Sequence, residues 1–292
     1  MQELSTLRDY WRYAVTEFET RGIYCGHGVD NAVDEAWWLL AGALKLPLNA
    51  REPFLEAHLT NAEKNALAEL ILLRGEQKIP TAYLLKEAYL GGLKFYVDQR
   101  VLIPRSPIAE LIEQHFNPWL PADEAYMNIL DLCTGSGCLA ILCAHYFPEA
   151  SIDAVDISVD ALDVAKINCA RYHLEEQIQL VHSDLFSELG KKQYQVIISN
   201  PPYVDRIDLE TMPKEYHHEP RLGLAAGKDG LDIVKRILAG AKAHLVPGGL
   251  LIVEVGNSRE ALEAAYPDLP LVWLELERGG EGVFLLREED LV

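Results

Sequence analysis

The feature that most constrains the fold of this 292-residue chain is the alternation of two kinds of segment after Met127. Short runs rich in Ile, Val and Leu alternate with longer segments whose apolar residues recur at helical spacing. The predicted strands are 127–131, 152–156, 178–181, 195–199 and 250–255, and the predicted helices are 138–146, 159–172 and 231–243. Because strands that are separated by helices pair in parallel, the pattern predicts a doubly wound α/β sheet.

The end of the chain breaks this alternation. Two further strand-like runs, 272–276 and 283–286, flank Arg278-Gly279-Gly280-Glu281-Gly282. So short a connection cannot be a parallel crossover, and it predicts an antiparallel hairpin at one edge of the sheet. This layout resembles the Rossmann-like sheet of class I methyltransferases.

The chain before the sheet has a different pattern. Apolar residues recur at helical spacing, and Thr60 with Glu63 has the form of a capping box at a helix start. Gly91-Gly92 between two short apolar runs indicates a hairpin. We therefore predict a small helical domain over residues 1–84, a β-hairpin linker over 85–104 and a catalytic domain over 105–292.

The net charge and the cysteine content limit which partners and which cellular compartment are expected. The net charge is −19, which disfavours a DNA or RNA substrate and suits a basic protein partner. The five cysteines are odd in number and never spaced C-x-x-C, as expected for reduced thiols in a cytoplasmic protein. The sequence shows no secretory signal and no apolar run long enough for a membrane span.

The first predicted strand runs into a glycine turn. Asp131 stands near the strand's carboxyl end, and Thr134, Gly135 and Gly137 lie in the turn that follows. Glycines here let a ligand approach the backbone closely. The string D-x-x-T-G-S-G resembles the first motif of S-adenosylmethionine-dependent methyltransferases. The resemblance implies S-adenosylmethionine as cofactor, with Asp131 pairing with its ammonium group.

Two further acids follow the next two strands. Asp156, 19 residues beyond Gly137, is placed to receive ribose hydroxyls, and Asp184 is placed to bond an adenine amino group. Their neighbours Ile157 and Leu185 complete the predicted cofactor contacts. Asp156 as a helix cap and Asp184 as a turn residue are the alternatives, and together with the glycine turn the two acids favour a nucleoside site.

The fourth strand ends at Asn200-Pro201-Pro202-Tyr203, the position where open α/β sheets bind ligands. The nitrogen of an amide or an arylamine is a poor nucleophile because its lone pair is delocalised. The Asn200 side-chain oxygen and the Pro201 carbonyl can each accept one N–H, which aims that lone pair at a methyl donor. Tyr203 would pack on the flat substrate group, with Pro202 stiffening the loop. A turn that merely ends a strand is the alternative.

Asn-Pro-Pro-Tyr after D-x-x-T-G-S-G resembles two groups, the exocyclic-amino DNA methyltransferases and the protein-(glutamine-N5) methyltransferases. Three further segments are similar to signatures of the second group: Arg100–Arg105 (R-V-L-I-P-R), His218-Glu219-Pro220 and Gly227–Leu231 (G-K-D-G-L). The resemblance covers nearly the whole chain. It implies methyl transfer from S-adenosylmethionine to the side-chain amide nitrogen of a protein glutamine, with no metal.

Two branches of that family differ in target. Release-factor enzymes continue I-P-R-P-x-T-E, whereas this chain has Ser106-Pro107-Ile108-Ala109-Glu110 after the arginine. Tyr24–Asn31 and Glu215–Pro220 are similar to the branch that acts on ribosomal protein L-three. The resemblance therefore implies a basic ribosomal protein as substrate, with a release factor as the alternative.

Two other classes of function compete with this interpretation. An N6-adenine nucleic-acid methyltransferase needs the same nitrogen geometry, but it must also grip a phosphate backbone, and 26 Lys and Arg stand against 45 Asp and Glu. A ribosome-assembly factor that binds the cofactor without catalysis is disfavoured by the intact Asn200-Pro201-Pro202-Tyr203. The helical domain is the predicted site of substrate recognition.

Overall fold

The computed structural model describes residues 3–120 and 127–291, which form two compact units. The first contains residues 3–88 with Val97–Gln99 and Pro213–His218, and the second contains Tyr89–Tyr96 and the described parts of 100–212 and 219–291. The sequence did not anticipate that Pro213–His218 belongs to the first unit. The segment belongs there because Glu215 forms a buried ion pair with Arg74 of the first unit.

The first unit is helical. Leu7, Tyr10, Ala14 and Phe18 place one apolar face of its first helix in the core. The predicted capping box at Thr60 and Glu63 is present, because each side chain bonds the other residue's backbone N–H. The helices are α1 Leu7–Arg21, α2 Ala32–Leu44, α3 Asn61–Glu76 and α4 Thr81–Leu85. The sequence missed α4, which is only five residues long and begins directly after Pro80.

A buried arginine organises the polar interior of this unit. Arg74 of α3 donates to Glu35 of α2 at 2.6 Å, to Glu215 at 3.1 Å and to the Tyr24 carbonyl at 2.8 Å. All three charged side chains are 3% exposed or less. Glu215 also accepts from the Tyr24 N–H at 2.9 Å. The charge of Glu215 therefore holds Pro213–His218 within the helical unit.

The predicted hairpin follows the helices. Its strands are β1 Ala88–Leu90 and β2 Leu93–Phe95. Gly91 and Gly92 between them have φ of +55° and +74°, the left-handed values that a two-residue turn requires at both positions.

The second unit contains the seven-stranded sheet. Its strands are β3 Asn128–Leu132, β4 Ser151–Asp156, β5 Ile178–His182, β6 Tyr194–Ser199, β7 Leu245–Glu254, β8 Val272–Trp273 and β9 Val283–Arg287. Their order is β5-β4-β3-β6-β7-β9-β8; the first five are parallel, and β9 pairs antiparallel with both neighbours. The predicted parallel sheet with an antiparallel edge hairpin is confirmed. The strand predicted at 272–276 is shorter, ending at Trp273.

The second unit also contains helices. They are α5 Ile108–Glu113, α6 Cys138–Tyr146, α7 Val159–Tyr172, α8 Arg206–Thr211, α9 Arg221–Leu224, α10 Asp232–His244 and α11 Arg259–Ala265. The apolar face of α10, with Val234 and Ile237, packs on Ile197 and Leu251 of the central strands. The central strands are buried along most of their length, so we expect a ligand site at their carboxyl ends. None of the helices described here is long and apolar enough to cross a membrane.

Candidate active site

The glycine turn follows β3 at the carboxyl edge of the sheet. Cys133, Gly135 and Gly137 have φ of +61°, +56° and +78°, so the turn passes three times through the left-handed region. A Cβ on Gly135 would meet no atom within 4 Å, whereas one on Gly137 would lie 3.2 Å from the Ala165 Cβ. Gly137 thus serves helix packing, and Gly135 leaves open space for a ligand.

Asp131 lies beneath this turn and is 1% exposed. Its Oδ2 accepts from the Thr134 hydroxyl at 2.5 Å and from the Ala140 N–H at 3.2 Å. Its Oδ1 is buried with no hydrogen-bond partner. Burial raises the pKa of Asp131 to about 7. An acceptor of this kind, short of a positive partner, suits an ammonium group.

Asp156 ends β4 beside the same turn. Its Oδ2 accepts from the Gly135 N–H at 2.9 Å and its Oδ1 from the Ser158 N–H at 2.8 Å. Burial raises its pKa. Ser158, not Asp156, caps α7, since its side chain accepts from the Ala161 N–H. The neighbouring Ile157 is 51% exposed, which leaves an apolar surface beside the carboxylate.

Asp184 stands after β5, and its carboxylate is engaged elsewhere. Its Oδ2 accepts from Arg236 of α10 at 2.8 Å, with nearly half of each side chain exposed. Leu185 is buried and has φ of +52°. No pattern in the sequence indicated the pair with Arg236, because the two residues are 52 positions apart. The role of Asp184 toward adenine stays a prediction.

The loop Asn200-Pro201-Pro202-Tyr203, called here the chemical loop, leaves β6, the strand next to β3. The Ser199 hydroxyl before it donates to the Leu132 carbonyl at 2.9 Å, which ties the start of this loop to the end of β3. Pro201 is buried, and the other three residues are half-buried. The chemical loop and the glycine turn therefore leave neighbouring strands at the same edge of the sheet.

Tyr203 is the most constrained residue of this loop. Its hydroxyl donates to Glu254 at 3.0 Å, and its carbonyl accepts from the Ser258 hydroxyl at 3.0 Å. A Cβ on Gly256 would lie 2.5 Å from the Tyr203 ring, and a Cβ on Gly230 would lie 2.3 Å from its carbonyl oxygen. Gly230 belongs to the predicted G-K-D-G-L segment, whose glycine is thereby explained by close approach to the loop.

The R-V-L-I-P-R segment and the residues after it meet three other parts of the second unit. Arg105 donates to both carboxylate oxygens of Glu219, at 2.6 and 2.8 Å. Ser106 donates to Glu254 at 2.6 Å. A Cβ on Gly280 would lie 2.6 Å from Pro107, so the glycines of the edge hairpin permit that contact. Segments singled out by sequence thus pack together around the chemical loop.

Sequence reasoning missed Glu254, Ser106 and Ser258 as parts of this surrounding structure. A signal for Glu254 was present, since it is an acid at the carboxyl end of a predicted strand, as Asp131 and Asp156 are. Nothing in the sequence paired it with Ser106, because 148 residues separate them.

The residues at this edge fit S-adenosylmethionine. The unpartnered Oδ1 of Asp131 offers an acceptor to a cation, the space at Gly135 admits a ligand to the backbone, and the exposed Ile157 offers an apolar surface to a base. Asp156 retains lone pairs for hydroxyl donors beyond its two backbone bonds.

Comparisons with known proteins show the family of this chain. Residues 114–214 match the model of the methyltransferase small domain. The chain is 52% identical over 291 residues to the ribosomal protein uL3 glutamine methyltransferases of Neisseria meningitidis serogroup A / serotype 4A and of Neisseria gonorrhoeae. These alignments cover 100% of this chain and 96% and 97% of the two relatives.

Among solved structures, the catalytic domain of hMettl16 in complex with the MAT2A 3′UTR hairpin 6 superposes with a TM-score of 0.53. The match covers 82% of this chain and 86% of that one at 17% identity. At that identity the similarity shows the fold alone, and it confirms the predicted class I methyltransferase architecture.

Proposed function

The chain belongs to the ribosomal protein uL3 glutamine methyltransferases, and from this premise we propose that it methylates the side-chain amide nitrogen (N5) of a glutamine in ribosomal protein uL3. It is an S-adenosylmethionine-dependent methyltransferase. The observation that carries the proposal is the position of Asn200-Pro201-Pro202-Tyr203, which leaves β6 directly beside the glycine turn of β3.

In this proposal the cofactor supplies an activated sulfonium methyl group, so no metal or covalent nucleophile is required. Asp131, Thr134, Gly135, Gly137, Asp156, Ile157, Asp184, Leu185 and Asn200 are the residues proposed to hold it. Asp131 contributes the acceptor for the ammonium group through its free Oδ1. Asp156 contributes to the ribose site and Ile157 to the adenine site.

The chain's own residues supply the remaining chemistry. The Asn200 side-chain oxygen and the Pro201 carbonyl accept the two N–H bonds of the substrate amide. They orient its lone pair and stabilise the positive charge that develops on nitrogen. Pro202 limits the motion of the loop, and Tyr203 packs on the flat amide. The amide proton is lost after methyl transfer.

Three features support a basic ribosomal protein as the target. The relatives carry ribosomal protein uL3 in their names, and the alignments include both Tyr24–Asn31 and Glu215–Pro220. The net charge of −19 favours encounter with a basic partner and opposes binding to DNA. We place the enzyme in the cytoplasm, where its five free cysteines stay reduced.

The helical unit is proposed to recognise the substrate. Its Tyr24, His27 and Tyr216 form one aromatic cluster, with ring centroids 5.5 Å apart for Tyr24 and Tyr216 and 4.6 Å apart for His27 and Tyr216. Replacing this unit by that of a release-factor enzyme is expected to move target preference. Unaltered preference would place recognition in the catalytic unit.

The substrate assay offers ribosomal protein uL3, a release factor and duplex DNA side by side, with tritiated S-adenosylmethionine as donor. Label in uL3, mapped by mass spectrometry to one methylglutamine, is expected. Label only in the release factor would keep the chemistry and overturn the substrate. Label in DNA would overturn the glutamine target.

The role of Asn200 is tested in the same assay. Asn200→Ala is expected to lower kcat by about 100- to 1000-fold, the cost of losing one transition-state hydrogen bond, while cofactor affinity falls much less because the other residues of the cofactor site are retained. Asn61→Ala, at an exposed position of α3, is the matched control and should keep full activity. An unchanged rate for Asn200→Ala would remove its assigned role.

A further inference from the structure

Glu254 is a buried carboxylate behind the chemical loop. It is the last residue of β7 and is 5% exposed. Its Oε1 accepts from the Tyr203 hydroxyl at 3.0 Å, and its Oε2 accepts from the Ser106 hydroxyl at 2.6 Å. Each carboxylate oxygen is thus used by a different hydroxyl, one in the chemical loop and one after the R-V-L-I-P-R segment.

This carboxylate is costly to the fold. Burial raises the pKa of Glu254, which means that the surroundings disfavour its charge. An apolar side chain of similar volume would avoid that cost, because burying charge is unfavourable even when hydrogen bonds compensate it in part. The position therefore retains a group whose distinctive property is two acceptor oxygens held in fixed directions.

Two other contacts of Tyr203 show what those directions achieve. The ring rests over Gly256, where any Cβ would clash, and the Tyr203 carbonyl is held by the Ser258 hydroxyl. Glu254 adds a hydrogen bond at the far end of the ring. The backbone, one ring face and the hydroxyl of Tyr203 are then each fixed by a different residue.

We infer that Glu254 is a positioning residue for methyl transfer, which orients the Tyr203 ring and with it the loop that begins at Asn200, and that Ser106 in turn orients Glu254. This inference rests on the proposed function, because it assigns Tyr203 to the substrate amide. Small displacements at a reacting centre are expensive, and a shift of about 1 Å can cost about 100-fold in rate.

The kinetic test compares two substitutions of Glu254. Glu254→Met removes both acceptors and is expected to lower kcat about 10- to 100-fold, with the KM for S-adenosylmethionine changed less than about threefold. Glu254→Gln keeps an oxygen for Tyr203 and an amide that can donate to Ser106, and is expected to retain activity within about fivefold of wild type. Ser106→Ala should lie between them.

Action through Tyr203 is tested by a double-mutant cycle. If Glu254 acts through the Tyr203 hydroxyl, Tyr203→Phe lowers kcat, and adding Glu254→Met to it causes little further loss. A double mutant whose loss equals the product of the two single losses would overturn the inference. Loss of thermal stability in Glu254→Met with an unchanged kcat would also overturn it.

A measurement without substrate separates this inference from the proposed function. In protein labelled with ¹³C at tyrosine Cζ, the Tyr203 signal, assigned from its loss in Tyr203→Phe, is expected to shift in Glu254→Met and to shift less in Glu254→Gln. A Tyr203 signal that does not move in Glu254→Met would overturn the positioning role. The proposed function fails instead if wild-type enzyme labels no glutamine.

Discussion

Buried carboxylates have different partners in the two units, namely the helical unit and the unit that contains the seven-stranded sheet, called here the catalytic unit. In the helical unit, Glu35 and Glu215 share the guanidinium of Arg74, and all three side chains are almost fully buried. In the catalytic unit, Asp131 is equally buried but bonds only a hydroxyl and a backbone N–H, and its Oδ1 has no partner. The first arrangement contains its own positive charge. The second lacks one.

The difference indicates which acid is structural and which awaits a ligand. A buried ion pair fixes the packing of the elements that carry it, and Arg74 balances the charge of Glu35 although the Glu35 Oε2 has no hydrogen-bond partner of its own. A buried acid with a raised pKa and an unused oxygen stores unfavourable energy that a cationic ligand can relieve. Asp131 has this second character, since burial raises its pKa to about 7.

Within the catalytic unit, another buried acid of the sheet, Asp153, differs from Asp131 in having a cation as partner. Asp153 lies in β4 three residues before Asp156 and is 3% exposed. It is paired, because Lys192 donates to it at 2.9 Å and the Tyr194 hydroxyl at 2.6 Å. The lack of a built-in cation is therefore a feature of Asp131, since Asp153 within β4 and Asp184 after β5 each pair with one.

The largest effect is expected from Arg74→Met. Removing the guanidinium leaves Glu35 and Glu215 buried without their cation, and breaking a buried pair in this way costs about 3–5 kcal/mol of the free energy of unfolding. Urea denaturation measures the loss. Arg21→Met is the matched control, because Arg21 pairs with Glu17 and Glu76 at the surface, where water screens the pairs, and its loss should be much smaller than that of Arg74→Met. Equal losses would break the comparison.

Asp131→Asn is expected to have the opposite profile. The isosteric amide keeps an acceptor for Thr134 and Ala140 and removes a charge that burial disfavours, so the free energy of unfolding should stay equal or rise. Affinity for S-adenosylmethionine should fall about 10- to 100-fold, the value of one charge-assisted hydrogen bond. Calorimetric titration measures it. Unchanged affinity would contradict the assignment of Asp131 to the ammonium group.

The same residue predicts a pH dependence with a defined sign. The pKa of Asp131 is about 7 in the folded protein, against the ordinary value of 3.8 for an aspartate side chain. Between these values the folded protein keeps a proton that the unfolded chain has lost, so Asp131 favours folding most below about pH 4. This contribution disappears as the pH rises through 7.

Cofactor binding requires the carboxylate form and should behave in the reverse sense. Wild-type affinity is expected to weaken about tenfold per pH unit below 7, relative to Asp131→Asn, because one proton must be released on binding. Titrations of both proteins between pH 5.5 and 8.5 check this. Identical pH profiles for the two proteins would place the titrating group elsewhere.

Local patterns in the sequence predicted much of the fold. The predicted bounds of α6 and α7 match the structure, and the capping box of α3 is present. These features depend on residues that are close together in the sequence, so a short stretch of sequence is enough to predict them. The β8 strand was predicted too long because an apolar alternation continues to Leu276, whereas the ladder with β9 covers Val272 and Trp273 and is followed by one bond from the Leu274 N–H to the Val283 carbonyl. Helix α4 was too short to show periodicity.

The site divides in the same way. The glycine turn and the loop at Asn200 are contiguous in sequence and could be found as motifs. Arg74 with Glu215 and Ser106 with Glu254 are separated by 141 and 148 residues, and only the folded chain brings them together. Asp184 illustrates the limit further, because its position was predicted while its partner Arg236 was not.

The smallest effect is expected from Lys192→Met, which tests whether the pairing of Asp153 belongs to the structural class. Lys192 is about one-third exposed, so water screens its charge, and Tyr194 continues to donate to Asp153 when the lysine is absent. The free energy of unfolding should therefore fall by about 1 kcal/mol, well below the loss for Arg74→Met. Cofactor affinity should not change, because Asp153 is not among the residues proposed to hold the cofactor at the carboxyl edge of the sheet. A stability loss as large as that of Arg74→Met would mean that solvent exposure does not govern the strength of these pairs. A changed cofactor affinity would mean that Asp153 is coupled along β4 to Asp156 at the end of the strand.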